Sequence, residues 1–417
     1  MQLSGLVYQS KRRYNSINQI LSDELLRVEY MIPYGRQDIQ DSDVDAVLAV
    51  LQSDFLTQGP AVPKFEQAVA QHSGARHAVA VNSATSALHI ALMALGVGAG
   101  DVVWTSPNTF VASSNAALYC GAGVDFVDID PLTYNMSVTA LAEKLALADQ
   151  QGQLPKVLIP VHLTGQPCDM AAIYDLSQRY GVKVVEDASH AIGGRYHDQP
   201  IGNCAYSDIT VFSFHPVKIV TTAEGGMALT NDDDLAEKMA LFRSHGITRD
   251  PALMTHTSDG PWYYQQITLG YNYRMTDLQA ALGVSQMQRL DDYITRRHDI
   301  AARYNRELSD LPLTLPTQAD YGHSAYHLYV IRLDLDAIAP LTHAQVFQSL
   351  RDRGILVNLH YIPVHTQPYY QAMGFRSGDY PQAEAYYKNA ISIPMYPTLS
   401  DDAQTQVIQA LHEILTR

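Results

Sequence analysis

Val211-Phe-Ser213-Phe-His-Pro-Val-Lys218-Ile-Val-Thr-Thr-Ala223-Glu-Gly-Gly226-Met-Ala-Leu-Thr230 holds one lysine among apolar and small residues. Residues 209–214 carry the β-branched and aromatic side chains of a strand, and Gly225-Gly226 opens a second apolar run to Thr230. The stretch reads as a strand, a short irregular segment holding Lys218, and a returning strand. A lysine fixed at a strand end and partly withdrawn from water has a lowered pKa, which favours the neutral amine that bonds to a carbonyl. Lysines more often lie along the surface with the charged tip in water, so the surrounding pattern has to decide.

Upstream, apolar runs at 101–105, 124–127, 156–161 and 182–185 alternate with helical patterns at 109–119, 139–148 and 170–180. That alternation predicts an α/β fold with a mostly parallel central sheet, covered by helices on both faces. Ligands in such sheets bind beyond the C-terminal strand ends. His77-Ala-Val-Ala-Val81 is followed there by Asn82-Ser-Ala84-Thr85-Ser86 and a helix over 87–95. Strand, small-residue turn and helix start suit a phosphate, although hydroxyls at a helix start also serve simply as caps. Phe110 follows the 101–105 strand, where an aromatic ring either stacks on a flat ligand or fills core. Glu186-Asp187-Ala-Ser-His190 directly follows a buried strand, where unpaired charge is costly. Such an aspartate can keep a pyridine nitrogen protonated; the alternative is an acidic pair capping the next turn. His162 carries no assigned role.

The chain has 417 residues, is 47% hydrophobic, and carries a formal charge of -15 with a pI near 5.4. It can bury the core of two domains. The charge argues against nucleic-acid and anionic-membrane partners, so a phosphorylated ligand needs local donors. Cys120, Cys168 and Cys204 are far apart and in no zinc-like spacing, which predicts free thiols, no metal site and a reducing compartment. The first thirty residues lack the apolar core of a secretory signal, and no run is long enough to span a bilayer; the expectation is a cytoplasmic protein. Patterned sequence begins near Met31-Ile-Pro-Tyr34, so residues 1–30 read as an extension or a misassigned start.

Residues 41–51 place Val44, Val47, Leu48 and Leu51 at helical spacing, and Ser53-Asp54-Phe55-Leu56-Thr57-Gln-Gly-Pro60 ends that helix. Arg243, His245 and Arg249 form a basic stretch suited either to a diphosphate or to solvent. Gly270-Tyr-Asn272-Tyr-Arg-Met-Thr276-Asp277 is an aromatic turn entering a capped helix. A long helix over 289–308 marks the boundary between a large domain, 31–288, and a small α+β domain, 289–417. The latter carries a capping box at Thr342 and Gln345, strands at 326–335 and 355–359, and the segment Asn358-Leu-His360-Tyr361-Ile-Pro-Val-His365.

Ser213-Phe-His-Pro-Val-Lys218 followed by Glu224-Gly-Gly226 resembles the Schiff-base segment of the DegT/DnrJ/EryC1/StrS family, pyridoxal-phosphate (PLP) aminotransferases acting on nucleotide-linked keto-sugars. The resemblance runs from about Ile32 to the C-terminus; Ala223 stands where the family commonly has glycine. It implies a PLP-dependent transferase of fold type I (aspartate aminotransferase-like), with the cofactor on Lys218 and Asp187 on the pyridine nitrogen. By the same resemblance Ala84, Thr85 and Ser213 hold the phosphate, Phe110 stacks on the ring, and His190 lies near the ring hydroxyl. Glu186 is expected to face away. Asn272 reaches the phosphate of a neighbouring subunit, implying a homodimer with shared active sites. Tyr34 and the loop Asp54, Phe55, Leu56 and Thr57 face the sugar nucleotide. Asn358, His360, Tyr361 and His365, with Tyr386 to Pro397, resemble the branch that aminates a UDP-linked 4-keto-6-deoxy-N-acetyl-L-altrosamine from L-glutamate in pseudaminic acid biosynthesis. Three rivals are a sugar dehydratase, in which histidine typically replaces this lysine, another nucleotide-sugar 3- or 4-aminotransferase, and a non-catalytic sugar-nucleotide-binding regulator of the same fold. An amino-acid aminotransferase would call for a second arginine clamp, and the sequence identifies none.

Overall fold

Strands rich in Val, Ile, Ala and Phe that are buried on both faces need helices on both sides, and the chain supplies them. The computed structural model describes residues 31–416, so the expected extension 1–30 lies outside it. In chain order the strands are β1 (Ile32–Pro33), β2 (His77–Val81), β3 (Val102–Thr105), β4 (Gly123–Phe126), β5 (Val157–Ile159), β6 (Lys183–Asp187), β7 (Ile209–Ser213) and β8 (Gly226–Thr230). The helices among and after them are α1 (Asp41–Leu51), α2 (Ala61–Ser73), α3 (Ala84–Ala94), α4 (Ala112–Tyr119), α5 (Val138–Gln151), α6 (Met170–Tyr180), α7 (Asp233–Arg243) and α8 (Asp277–Met287).

Seven strands form one sheet in the order β2-β8-β7-β6-β5-β3-β4. Only β8 runs against its neighbours; Gly226 stands opposite both Ser213 and Val81. The strand, irregular segment and returning strand expected around Lys218 are therefore β7, its connection and β8. On one face α3, α4 and α7 pack over Val81, Val103, Ile159, Val185 and Val211. On the other, α2 and α8 cover Ala80, Phe212 and Met227, while α5 and α6 cover Trp104, Leu158 and Val184. Because side chains alternate along a strand, Asp187 shares the first face with Val185, and Glu186 points to the second.

Several boundaries differ from the sequence expectation. α3 starts at Ala84, not at 87, because the Ser83 hydroxyl accepts from the Ser86 N–H and caps the helix earlier. α4 starts at Ala112, after Thr109 is tied to Ser113 by a side-chain hydrogen bond of 2.8 Å. α2 was not anticipated. In α1, Val44, Leu48 and Leu51 turn outward while Asp43 is buried against Arg289 at 2.6 Å.

Beyond α9 (Leu290–Glu307), strands β9 (Leu313–Thr314), β10 (Tyr329–Leu333), β11 (Ile355–Leu356) and β12 (Ala390–Ile393) and helices α10 (His343–Asp352) and α11 (Asp401–Leu415) build a second layer. β9, β10 and β12 make an antiparallel sheet, and β11 pairs in parallel with β1. Ile32, Ile300, Tyr304, Ile331, Leu350 and Leu411 share one core. Buried Arg297 of α9 donates to the carbonyls of Tyr326 (3.0 Å) and Met395 (3.1 Å), locking this layer to the segment entering β10.

Candidate active site

Asp187 closes β6 on the α4 face. Ser113 of α4 donates to its Oδ2 at 2.6 Å and the Ser189 N–H to its Oδ1 at 3.2 Å, so the carboxylate is oriented and still has acceptor capacity. Lys218 sits two strands from the sheet edge in the β7–β8 connection. Its N–H donates to the His215 carbonyl at 2.9 Å, and the Thr222 N–H returns to the Phe214 carbonyl at 2.9 Å. Ala223 adopts φ +64°, so the turn keeps the left-handed shape that glycine favours while carrying a methyl group.

Burial lowers the Lys218 pKa to about 8, with the Asp187 charge pulling the other way. Burial also presses on three imidazoles, holding His190 and His327 well below their usual value and His360 at about 3; the Lys218 charge comes next for His190 and His360, and the neighbouring His190, then Lys218, for His327. These rings are neutral at pH 7. His190 Nδ1 accepts from the Thr164 N–H at 3.2 Å, so its proton lies on Nε2 and is donated to the Tyr361 hydroxyl at 3.0 Å. That leaves the Tyr361 proton free to point elsewhere. Asn108 Oδ1 accepts the Tyr361 N–H at 3.2 Å, and Phe110, 59% exposed, lies with its ring centre 6.1 Å from that of Tyr361. Tyr34 packs on His360 at 5.1 Å, and burial raises its pKa against a hydrogen bond with Asn358. His360 is anchored by Ser392 at 2.8 Å.

At the other end of Lys218, β8 passes tightly beneath the start of α3. A Cβ on Gly226 would lie 2.5 Å from the Ala84 nitrogen, so only glycine admits this approach. Ala84 and Thr85 occupy the first turn, where N–H groups have no intrahelical acceptor, and Ser213 stands opposite Gly226. The Asn82 N–H donates to the Tyr273 carbonyl at 2.8 Å, which brings the strip around Asn272 alongside; Asn272 itself is exposed.

Lys218, Asp187, His190, His360 and Tyr361 thus form one electrostatically linked group, with Phe110 and Tyr34 packed on its members and Ser213 and the α3 N-terminus at its β8 end. The loop Asp54–Thr57 is not bonded to this group; it is fastened to Thr276 and Asp277. His365 is turned inward, fully buried, bonded to Glu384 at 2.9 Å and packed on Tyr380. Arg243 is held by Glu66 at 2.5 Å and by the Ala80 carbonyl, which removes it from the basic stretch read as a diphosphate candidate. Sequence reading missed Ser113, Asn108, Thr164 and His327. Asn108 and Ser113 were visible as polar residues flanking Phe110 after a strand, whereas Thr164 and His327 act through tertiary packing that no local pattern marks.

A model of the DegT/DnrJ/EryC1/StrS aminotransferase family matches residues 37–412. The chain belongs to this family. It is 41% identical over 389 residues to the spore coat polysaccharide biosynthesis protein SpsC of Bacillus subtilis, covering 93% of this chain and 97% of that one. Among solved structures it resembles Helicobacter pylori PseC, an aminotransferase involved in the biosynthesis of pseudoaminic acid, with TM-score 0.83, 31% identity and coverage of 93% and 99%. It also resembles the PLP form of the putative sugar aminotransferase Spr1654 from Streptococcus pneumoniae, with TM-score 0.82, 29% identity and coverage of 92% and 98%. As a DegT/DnrJ/EryC1/StrS enzyme it is a PLP-dependent sugar aminotransferase of fold type I. Its residues fit that cofactor. The α3 N-terminus with Gly226 beneath it suits a phosphate, the exposed Phe110 ring a flat heterocycle, the unsaturated Asp187 carboxylate a pyridinium, and the depressed Lys218 amine an aldehyde. No helix of the described residues is long and apolar enough to cross a membrane.

Proposed function

We propose that this enzyme transfers the amino group of L-glutamate to C4 of a UDP-linked 4-keto-6-deoxy-N-acetylhexosamine. The product is then UDP-4-amino-4,6-dideoxy-N-acetyl-β-L-altrosamine, the reaction of pseudaminic acid biosynthesis. The observation that carries this reading is the polar cluster Tyr34, Asn358, His360 and Tyr361, in which His360 feels the Lys218 charge and Tyr361 that of Asp187, in a chain similar to PseC over 93% of its length. Bound PLP supplies an electron-accepting ring. Lys218 would anchor it and, once released, would take the proton from the donor's α-carbon and give one to C4 of the sugar; burial, which lowers its pKa, favours the neutral amine this requires. Asp187, oriented by Ser113, would keep the pyridine nitrogen protonated, and Phe110 would stack on the ring. Ala84, Thr85 and Ser213 would hold the phosphate, and His190, bonded to the Tyr361 hydroxyl, would lie near the ring hydroxyl. The assignment includes a homodimer in which Asn272 of each chain completes the other's phosphate site, a large domain over 31–288, a small one over 289–417, and a cytoplasmic location.

The test is an assay with L-glutamate and a panel of UDP- and dTDP-linked 3- and 4-keto-sugars, with products identified by mass and NMR. Amination at C4 of the UDP-linked N-acetyl sugar is expected. Preference for a dTDP sugar or a C3 ketone would transfer the assignment to another aminotransferase branch, and absence of any glutamate-dependent spectral change would favour a binding protein.

A further inference from the structure

His190 and Tyr34 stand on two sides of the candidate site, carried by distant parts of the chain, and both sides are tied to one buried side chain. On the first side His190 packs on His327 with the ring centres 4.5 Å apart. His327 lies in a strap, residues 324–328, that is laid along Thr164 and Gly165. The Ala325 N–H donates to the Gly165 carbonyl at 3.0 Å, the Leu328 N–H to the Thr164 carbonyl at 3.1 Å, and the Tyr326 N–H to Ser324 Oγ at 3.1 Å. A Cβ on Gly165 would stand 2.9 Å from the Tyr326 nitrogen and 3.0 Å from the His190 carbonyl oxygen, so strap, Gly165 and His190 are in close contact. Tyr326 is buried at φ +43°, a backbone state that a bulky residue keeps only where its surroundings enforce it. On the second side the Met395 N–H donates to the Tyr34 carbonyl at 2.9 Å, just beyond β12, whose Ser392 anchors His360.

Arg297 of α9 joins the two. Its Nη1 donates to the strap carbonyls of Tyr326 (3.0 Å) and His327 (3.3 Å) and to the carbonyl of Met395 (3.1 Å). The side chain is 1% exposed, no carboxylate among the described residues pairs with it, and its Nε has no hydrogen-bond partner. Burial lowers its pKa to about 9, which still leaves it charged at pH 7. An unpaired buried cation is a poor way to fill a core, where an apolar side chain carries no desolvation penalty. What the guanidinium does, and an apolar side chain does not, is hold carbonyls of two segments in one fixed geometry.

We propose that Arg297 is a positioning residue for the sugar half of the reaction: by holding Met395 against the strap behind His190, it sets where Tyr34 stands relative to the cofactor side of the site. The inference rests on the reading in which Tyr34 faces the sugar. Without the guanidinium the strap keeps its bonds to Thr164 and Gly165, whereas Met395 loses its tie to the strap. Tyr34 is then the part that shifts, while Lys218 and Asp187, held by the large sheet, stay in place.

Measuring the two half-reactions apart tests it. Arg297→Met should leave the single-turnover rate with L-glutamate, followed by cofactor absorbance, within about twofold of wild type, and should raise the KM of the keto-sugar by about ten- to a hundredfold. In a Tyr34→Ala background the same change should add little to that KM, because the group it positions is already gone. Arg297→Lys keeps a donor on a stem one bond shorter and should fall between, with the KM raised by about threefold. Should Arg297→Met not fold, the lysine variant carries the test with the same split. An equal fall in both half-reactions, an unchanged keto-sugar KM, or additive effects with Tyr34→Ala overturns the proposal and leaves Arg297 a core residue. The keto-sugar is whichever one the wild-type enzyme aminates among the UDP- and dTDP-linked panel. A different sugar therefore revises the assigned substrate alone, and a missing split removes the role of Arg297 alone.

Discussion

Glu186 and Asp187 are consecutive carboxylates on β6, and the two faces of the sheet treat them in opposite ways. Glu186 accepts from Ser207 at 2.5 Å and Thr210 at 3.0 Å and lies 2.7 Å from His162 Nε2, whose Nδ1 is occupied by the Cys168 N–H. Burial alone would raise its pKa, but these hydrogen bonds hold the carboxyl below the usual range. Asp187 has one hydroxyl and one N–H, and across from it stands an amine with a depressed pKa. Both carboxylates are 5% exposed, so burial does not distinguish them. What distinguishes them is completeness: a carboxylate bonded to three side chains ties the β5–α6 connection to β7, whereas one left with capacity beside a buried lysine suits a ligand.

The separation can be broken by crossing measurements of rate and stability. Lys218→Ala should lower kcat by about 10⁴-fold or more, because the proposed anchor and proton carrier would be lost together, and borohydride should no longer fix cofactor to the peptide containing residue 218. Asp187→Asn should lower kcat by about 10²- to 10³-fold with little change in thermal stability. Glu186→Gln should do the opposite. Its amide presents hydrogens to donors that need an acceptor, costing about 2–3 kcal/mol in a urea titration, while kcat of the folded fraction stays near wild type. A Glu186→Gln enzyme that is stable but slow, or an Asp187→Asn enzyme that is active but unstable, would abolish the distinction.

The sequence displayed part of this difference. The β7–β8 hairpin around Lys218 was legible because β-branched runs, Gly225-Gly226 and one lysine leave few other readings. The strand expected over 182–185 runs on to Asp187 as β6, and that extension, which the two charges hid, is what sets the carboxylates on opposite faces. Helix α2 was not legible: Pro63 and the run of small and polar residues after Pro60 mask its pattern, and its stability comes from packing Phe65 and Val69 against α8. α11, capped by Ser400, went unread in the same way. In α1 the apolar period was visible but its direction was not. Asp43, Gln286 and Arg289 decide which side faces in, and they lie some 240 residues apart in the chain. His365 looked like a site residue because it follows His360 and Tyr361; its partner Glu384 lies on a later helix and draws it inward.

The smallest effect isolates the electrostatics of the Asp187 face from catalysis. In cofactor-free protein Lys218 has a pKa of about 8 when folded, against 10.5 for an ordinary lysine. Between those values the unfolded chain binds the extra proton, so this residue makes stability rise with pH across that window. Below about 8 the amine is charged in both states and its burial penalty is present in full; above 10.5 it is neutral in both and the penalty is gone. Lys218→Met removes the titration while keeping a long apolar side chain. At pH 7 the variant should therefore melt above the wild-type apoprotein by about 2–4 °C, and the gap should close as pH rises from about 8 toward 10.5. Asp187 supplies the attraction that limits the penalty, so the gap should widen in an Asp187→Asn background. Glu186, with its charge satisfied on the other face, should leave it unchanged when replaced by Gln. A gap that persisted to pH 10.5 would show that packing and not charge separates the variants. A gap that answered to Glu186 as it does to Asp187 would mean that the sheet does not insulate its two faces.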